Sequence, residues 1–247
     1  MIAKVSSFFA LRLAFFGFKQ YNGFLKERKC NMKTRSSKYL YISVLSLIAF
    51  AVWTVVVSQI DKQAIGPNGS VVGLATLNGA FHNFTGVHLS LYDLTDLLSI
   101  IPFIFIGGFA LLALVQWIQR KSVFKIDHSL FALGGFYVVV MAVFLMFENV
   151  IINYRPILIE GVLEASYPSS TTMLVMCVFP TAIMQLWGRI KNKPAKIMVS
   201  LVLAAFTAFM VICRIISGVH WITDIVGGAL LSIGLVTMYA FAVKLKK

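Results

Sequence analysis

Near its C-terminus the chain reads ITDIVGGALLSIGLVTMYAFAV from Ile222 to Val243, and Asp224 is the single charged residue of this stretch. A helix of about 20 mainly apolar residues is long enough to cross the hydrocarbon core of a bilayer. The lysines that follow, from Lys244 to Lys247, are typical of the cytoplasmic end of a membrane span. The stretch therefore predicts a membrane-spanning helix, with one carboxylate near its beginning that needs an explanation.

The same hydropathy pattern recurs along the chain, so that we predict six spans in all. The other five are Tyr39–Val57, Leu97–Ile118, Leu130–Phe147, Thr172–Trp187 and Ile197–Ile212. Composition agrees, because 59% of the residues are hydrophobic and 13% are charged, far from the averages of soluble domains. The sequence thus predicts an all-α fold, a polytopic six-span transmembrane helical bundle in which Cys177 and Cys213 are buried free thiols.

The basic residues are distributed unevenly between successive connections. They cluster before the first span, after the second, after the fourth and at the C-terminus. By the positive-inside rule these segments and both termini are cytoplasmic, and the alternate connections face the extracytoplasmic side of the cell membrane. The net charge of +13 therefore reflects topology, and it argues for a lipid bilayer and against nucleic acid as the partner.

Two parts of the chain differ in character: a basic cytoplasmic segment, residues 1–37, and the six-span domain, residues 38–247. The apolar run Phe8–Phe18 is interrupted by Arg12, which is compatible with an amphipathic helix lying in the membrane interface. Met32 is followed by Lys33 and Arg35 and then by the first span, which already resembles a complete N-terminus. We favour Met32 as the physiological start.

Two outer connections carry ionisable residues at span ends, where charges are costly unless they are paired, hydrated or functional. In the last connection His220 precedes Asp224 by four residues, a spacing that places two side chains on the same side of a helix. The carboxylate can then fix the tautomer of the imidazole and leave its other nitrogen free to attack an electrophile. Arg214 precedes a turn at Gly218 that can fold its guanidinium back over the same place.

The connection before the fourth span supplies donors for an anion. Arg155 offers a second guanidinium, and Ser169 and Ser170 stand at the start of a predicted helix, where free amides and the helix dipole favour negative charge. Each feature alone has a structural explanation, as a membrane-interface anchor, a hydrogen-bonded pair or a helix cap. Their convergence on one face favours phosphoryl transfer through a phosphohistidine.

Arg214, His220 and Asp224 also have the spacing Arg, five residues, His, three residues, Asp. In this connection, the spacing resembles the third motif of the type-2 phosphatidic-acid phosphatases, the membrane lipid-phosphate branch of the haloperoxidase-like fold. Cys213 stands where that family has serine. Parts of two further motifs match as well, Arg155-Pro156 and Pro168-Ser169. The resemblance covers about residues 95–243 and includes a six-span layout with the site facing outward.

The resemblance implies that His220 is the nucleophile, that Asp224 orients it, and that no metal or other cofactor takes part. It implies that the phosphate is held by Arg155, Ser169 and Arg214. Two motif positions are altered. Glu148 occupies the position of a lysine, and Thr171 that of the histidine that protonates the leaving group.

These two changes decide which reaction is expected. A positioned general acid is typically worth about 10²–10⁴ in rate, and a threonine hydroxyl cannot replace a protonated imidazole. The loss of a general acid should slow hydrolysis of a lipid diphosphate least, because its leaving group is a phosphate monoester, which needs little protonation. Glu148 either places an anion beside the phosphate or pairs with Arg155. His82 and His88, in the first outer connection, are candidates for the missing acid.

We therefore expect a membrane phosphatase acting on a lipid phosphate or diphosphate, of the polyprenyl diphosphate or phosphatidate type. The alternative is a catalytically weakened or inactive relative that binds lipid phosphates. A transporter or channel is disfavoured, since a permeation path needs polar residues near the middle of several spans.

Overall fold

The computed structural model describes residues 36–244, and helices dominate this part of the chain. The helices are α1 (Ser36–Gln59), α2 (Ala75–Thr85), α3 (Leu89–Leu98), α4 (Ile100–Arg120), α5 (His128–Asn149), α6 (Ser170–Arg189), α7 (Lys193–Ile216) and α8 (Ile222–Lys244). Short 3-10 turns lie at Pro67–Gly69 and Val123–Lys125. The expectations for the segment before Ser36, including a start at Met32, fall outside the described residues.

The predicted six-span bundle is confirmed. α1, the α3–α4 pair, α5, α6, α7 and α8 are each long and apolar enough to cross a membrane. The predicted start of the second span was eight residues late, because that span begins at Leu89. α3 ends before Ser99 and α4 carries Pro102 in its first turn, where a residue without an N–H is tolerated. The polar residues of α3 lower its hydropathy, so the sequence pattern did not indicate that α3 is part of the span.

α6 and α8 are the most enclosed helices, whereas α1, α3 and α4 are largely exposed. At the start of α8 the backbone passes close to the segment that precedes α6. A Cβ on Gly227 would lie 2.7 Å from the ring of Tyr167, so a side chain here would displace that ring. The ring is also held by a 2.8 Å hydrogen bond between its hydroxyl and Thr54 Oγ1. This contact fixes the approach to the N-terminus of α6.

Three connections meet at one end of the bundle. Gly73 N donates to Asn153 Oδ1 at 3.1 Å, which links the first connection to the one before α6. His88 N donates to Ser217 O at 2.9 Å and links the first connection to the loop before α8. The two polar connections predicted to share a face therefore lie together, and the first connection contacts both of them. Cys177 and Cys213 are buried free thiols, as predicted.

Candidate active site

His220 lies in the short loop between α7 and α8, and Asp224 lies in the first turn of α8. The helix begins only at Ile222, so the pair meets across a helix start rather than along a regular helix. His220 Nδ1 is 3.6 Å from Asp224 Oδ2, and that oxygen also accepts a 2.9 Å hydrogen bond from the backbone N–H of Trp221. The distance exceeds that of a hydrogen bond, but the carboxylate lies on the Nδ1 side of the ring, with Nε2 on the opposite side.

The imidazole of His220 is buried, with 2% of its side chain exposed. Burial lowers the pKa of His220 well below its usual value, and the positive charges of Arg155 and Arg214 lower it further. A histidine in this environment is neutral at physiological pH. It keeps a lone pair, as a nucleophile must.

The two predicted arginines lie beside the histidine, and each has a carboxylate partner that the sequence did not indicate. Arg214 Nη2 lies 3.2 Å from Asp96 Oδ1, and Arg155 Nε lies 2.9 Å from Glu164 Oε2. Both guanidiniums lie over the ring of Tyr92, at 4.8 Å for Arg214 and 5.7 Å for Arg155. In this structure Arg155 thus pairs with Glu164 and not with Glu148.

The arginines also carry donors without partners. Arg155 Nη1 and Arg214 Nε and Nη1 are buried and make no hydrogen bond to any residue in the described part of the chain. Buried polar groups are normally satisfied, and unsatisfied guanidinium donors are suited to an anionic ligand. Nε and Nη1 of Arg214 point to different sides of the guanidinium, so each can donate to a separate oxygen of an anionic ligand.

The start of α6 completes this arrangement. Ser169 caps the helix, and its backbone N–H donates to Asp224 O at 3.0 Å, which joins α6 to α8 at the site. Ser169 Oγ is buried and has no hydrogen-bond partner within residues 36–244. The first amides of a helix lack intrahelical acceptors, so this end offers further donors and a favourable dipole.

A small cavity of about 30 Å³ opens beside His220. Arg155, Ser166, Ser170 and Glu148 line it together with the histidine. Its other walls are mainly apolar, from α5 and from the segment that precedes α6. The cavity therefore combines a nucleophile, a cation, hydroxyls and one carboxylate.

Thr171 faces a different space. It lines a larger, mostly apolar cavity of about 190 Å³ between α4, α5 and α6, together with Asp96 and Phe103. Ser170 and Phe144 border both cavities, so the two are adjacent. Thr171 therefore borders an apolar space adjacent to the cavity beside His220.

The two histidines of the first connection take no direct part in this arrangement. The ring of His82 packs against Trp221 with a centroid distance of 5.4 Å, and His88 Nε2 lies 3.0 Å from Thr85 O. Neither lines the cavity beside His220.

Sequence reasoning missed Tyr92, Asp96 and Glu164. Their contacts with the arginines join residues far apart in the chain, so the available signal was the charge of Asp96 at a predicted span end.

The fold and the site together define a multi-pass helical membrane protein with a histidine and two arginines arranged for phosphoryl transfer. The model of the PAP2 superfamily matches residues 103–246, and the chain belongs to this family. No curated protein matches the chain significantly.

One solved structure is similar, the crystal structure of the first transmembrane PAP2 type phosphatidylglycerolphosphate phosphatase from Bacillus subtilis. The two chains share 19% identity and a TM-score of 0.52, and the match covers 81% of this chain and 94% of that one. At this identity the likeness establishes a common fold.

Proposed function

We propose that this protein is a membrane phosphatase that hydrolyses a lipid phosphate or diphosphate at the extracytoplasmic face, through a phosphohistidine at His220. Membership of the PAP2 superfamily supports the general class, a phosphoric-ester hydrolase acting at a membrane. The distribution of basic residues supports the extracytoplasmic placement.

A single observation carries the proposal. A buried, neutral histidine stands beside two buried arginines whose guanidinium groups retain unpartnered donors. In the first step Nε2 of His220 attacks phosphorus, and the bond to the leaving oxygen breaks with its electron pair on that oxygen. Arg155, Arg214 and the start of α6 stabilise the charge on the equatorial oxygens, and Asp224 stabilises the positive ring.

The leaving group determines which substrates suit this site. Thr171 supplies no strong acid, so an alkoxide leaves slowly, whereas the phosphate monoester released from a diphosphate needs little protonation. The apolar cavity beside Thr171 and Ser170 has about 190 Å³ for the part of the lipid next to the reacting phosphate. A polyprenyl diphosphate is the favoured substrate, ahead of a phosphatidate.

Phosphate release by detergent-purified protein tests this function, with a polyprenyl diphosphate compared with phosphatidate. We expect turnover of the diphosphate that is lost in His220→Ala, and monoester turnover that rises in Thr171→His. If the natural sequence releases no more phosphate than His220→Ala from either lipid, the protein is not this phosphatase.

A second function is favoured by the two altered motif positions, since Thr171 supplies no strong acid and Glu148 places a carboxylate at the cavity beside His220. A site of this kind suits a protein that binds lipid phosphates without hydrolysing them. Lipid phosphate would then raise the unfolding temperature of the protein while phosphate release stays at the level of His220→Ala.

A further inference from the structure

Among the carboxylates beside the proposed phosphate site, Glu148 is unlike the others. Asp96 and Glu164 each lie against an arginine. Glu148, at the end of α5, makes no ion pair or hydrogen bond with any residue of the described chain, although Arg155 lines the same cavity. Its side chain is exposed, and it borders the cavity into which His220 opens. A residue whose carboxylate has no partner among the described residues therefore borders the space beside His220.

The dimensions of this cavity suit a water molecule. A cavity needs about 10–15 Å³ to hold one water, and the water needs two to four polar partners. The cavity beside His220 has about 30 Å³, and Glu148, Ser166, Ser170 and His220 supply polar groups around it. Thr171 faces the neighbouring cavity instead.

We propose that Glu148 is the general base for the second half of the reaction, a role that rests on the proposed phosphatase function. The oxygen of water bonds to phosphorus, and the N–P bond of phospho-His220 breaks with its electron pair returning to Nε2. The water proton passes to the carboxylate of Glu148, which then releases it to solvent. The products are monohydrogen phosphate and a neutral imidazole that still carries its proton on Nδ1 beside Asp224.

This role explains how a glutamate can replace a cation in a phosphate site. In an in-line displacement the water attacks phosphorus from the side opposite the N–P bond. An ionised carboxylate only accepts hydrogen bonds, so it serves the attacking water but gives no proton to a departing alkoxide. The site is then suited to a leaving group that needs no acid. Free His220 is regenerated with the help of Glu148, the base at the end of α5.

The test separates the two half-reactions. Purified protein is mixed with polyprenyl diphosphate labelled in its terminal phosphate, and samples are quenched in alkali, in which phosphohistidine survives. Lipid monophosphate and protein-bound label report the first step, and free phosphate reports the second. Glu148→Gln is compared with Glu160→Gln, a matched change at an exposed glutamate on the tip of the hairpin before α6.

For Glu148→Gln we expect a burst approaching one lipid monophosphate per protein at the natural rate, with the label retained on the protein. Steady-state release of phosphate should fall by about 10²–10³-fold. Glu148→Asp should recover part of this rate, and Glu160→Gln should behave as the natural sequence.

Two results overturn the assignment in different ways. If Glu148→Gln slows the burst and the steady state together, or changes neither, Glu148 is not the base of the second step. If the natural sequence produces no lipid monophosphate above His220→Ala, the phosphatase function itself fails, and the base with it.

Discussion

Gly218 is the position at which the smallest substitution should have the largest effect on this site. Its φ is +69°, a left-handed conformation that L residues adopt at a cost. A Cβ built on it would lie 2.1 Å from the carbonyl oxygen of Gly86 and 3.1 Å from the Cα of Val87. These are backbone atoms, which have no alternative rotamer. Gly218→Ala must therefore push the first connection away from the loop that carries His220.

The magnitude follows from three contributions. The left-handed conformation costs alanine about 1–2 kcal/mol. Moving the Gly86 oxygen by more than an ångström is overpacking, which costs about 1–3 kcal/mol. The same movement strains the 2.9 Å hydrogen bond from His88 N to Ser217 O, worth about 1 kcal/mol. A total of about 3–6 kcal/mol corresponds to a loss of roughly 10–15 °C in Tm for a chain of this size.

A thiol-reactive dye measures this effect, because Cys177 and Cys213 are buried and become accessible on unfolding. A Cys30→Ser background removes the third cysteine. The matched control is Gly69→Ala, since Gly69 has a φ of +74° but no heavy atom within 4 Å of the added Cβ. The control incurs the conformational cost alone and should lose only about 4 °C.

Activity supplies a second measurement for the same variant. His220 follows Gly218 by two residues, and a displacement of about 1 Å at a reacting group can cost roughly 10²-fold in rate. We expect phosphate release to fall by that order in Gly218→Ala and to stay unchanged in Gly69→Ala. Equal Tm values and equal rates for the two variants would refute the close contact between Gly218 and Gly86.

Three further predictions concern the chemistry. Asp224→Asn should lower turnover by about 10²–10⁴-fold while phosphate still protects the protein from unfolding, since the carboxylate orients His220 and stabilises its positive ring; thermal shift and phosphate release together check this. Burial and two arginines lower the pKa of His220, so kcat/KM should not decline as the pH falls through about 6.5. Arg155→Gln removes one positive charge and therefore raises the pKa of His220. The decline of kcat/KM at acid pH should then begin at a higher pH for the same substrate. Thr171→His should raise phosphatidate turnover by about 10²-fold without a comparable change for a diphosphate. Equal changes for both substrates would show that the residue at position 171 does not limit protonation of the leaving group.

The sequence predicted the bundle because hydropathy is additive along a span, and six apolar stretches of sufficient length leave few alternatives. It failed at the start of the second span for a physical reason. Tyr92, Asp93 and Asp96 lower the local hydropathy, and α3 nevertheless continues the span toward the site. The polar residues that end an apolar stretch in the sequence here belong to a helix that borders the site, since Tyr92 and Asp96 contact Arg214.

The candidate site could be predicted in part. His220, Asp224 and Arg214 are close in sequence, so their spacing and the helix start between them indicate a common location. The ion pair between Arg214 and Asp96 joins residues 118 apart, and no local pattern encodes it. The same holds for Tyr92 beneath both guanidiniums. These contacts depend on how α3 packs against α7, which only the folded bundle determines.

The carboxylate partners of the two arginines do not prevent phosphate from binding. The side chains of Arg214 and Arg155 are 2% and 12% exposed, whereas those of Asp96 and Glu164 are 62% and 40% exposed. An ion pair with a solvent-exposed member contributes only about 0–1 kcal/mol, because water solvates the carboxylate almost as well when it turns away. A phosphate brings at least one full charge and several acceptors to the buried donors, so it can displace both carboxylates at small cost. Both guanidiniums also lie over the ring of Tyr92, a contact that favours their present position independently of the carboxylates.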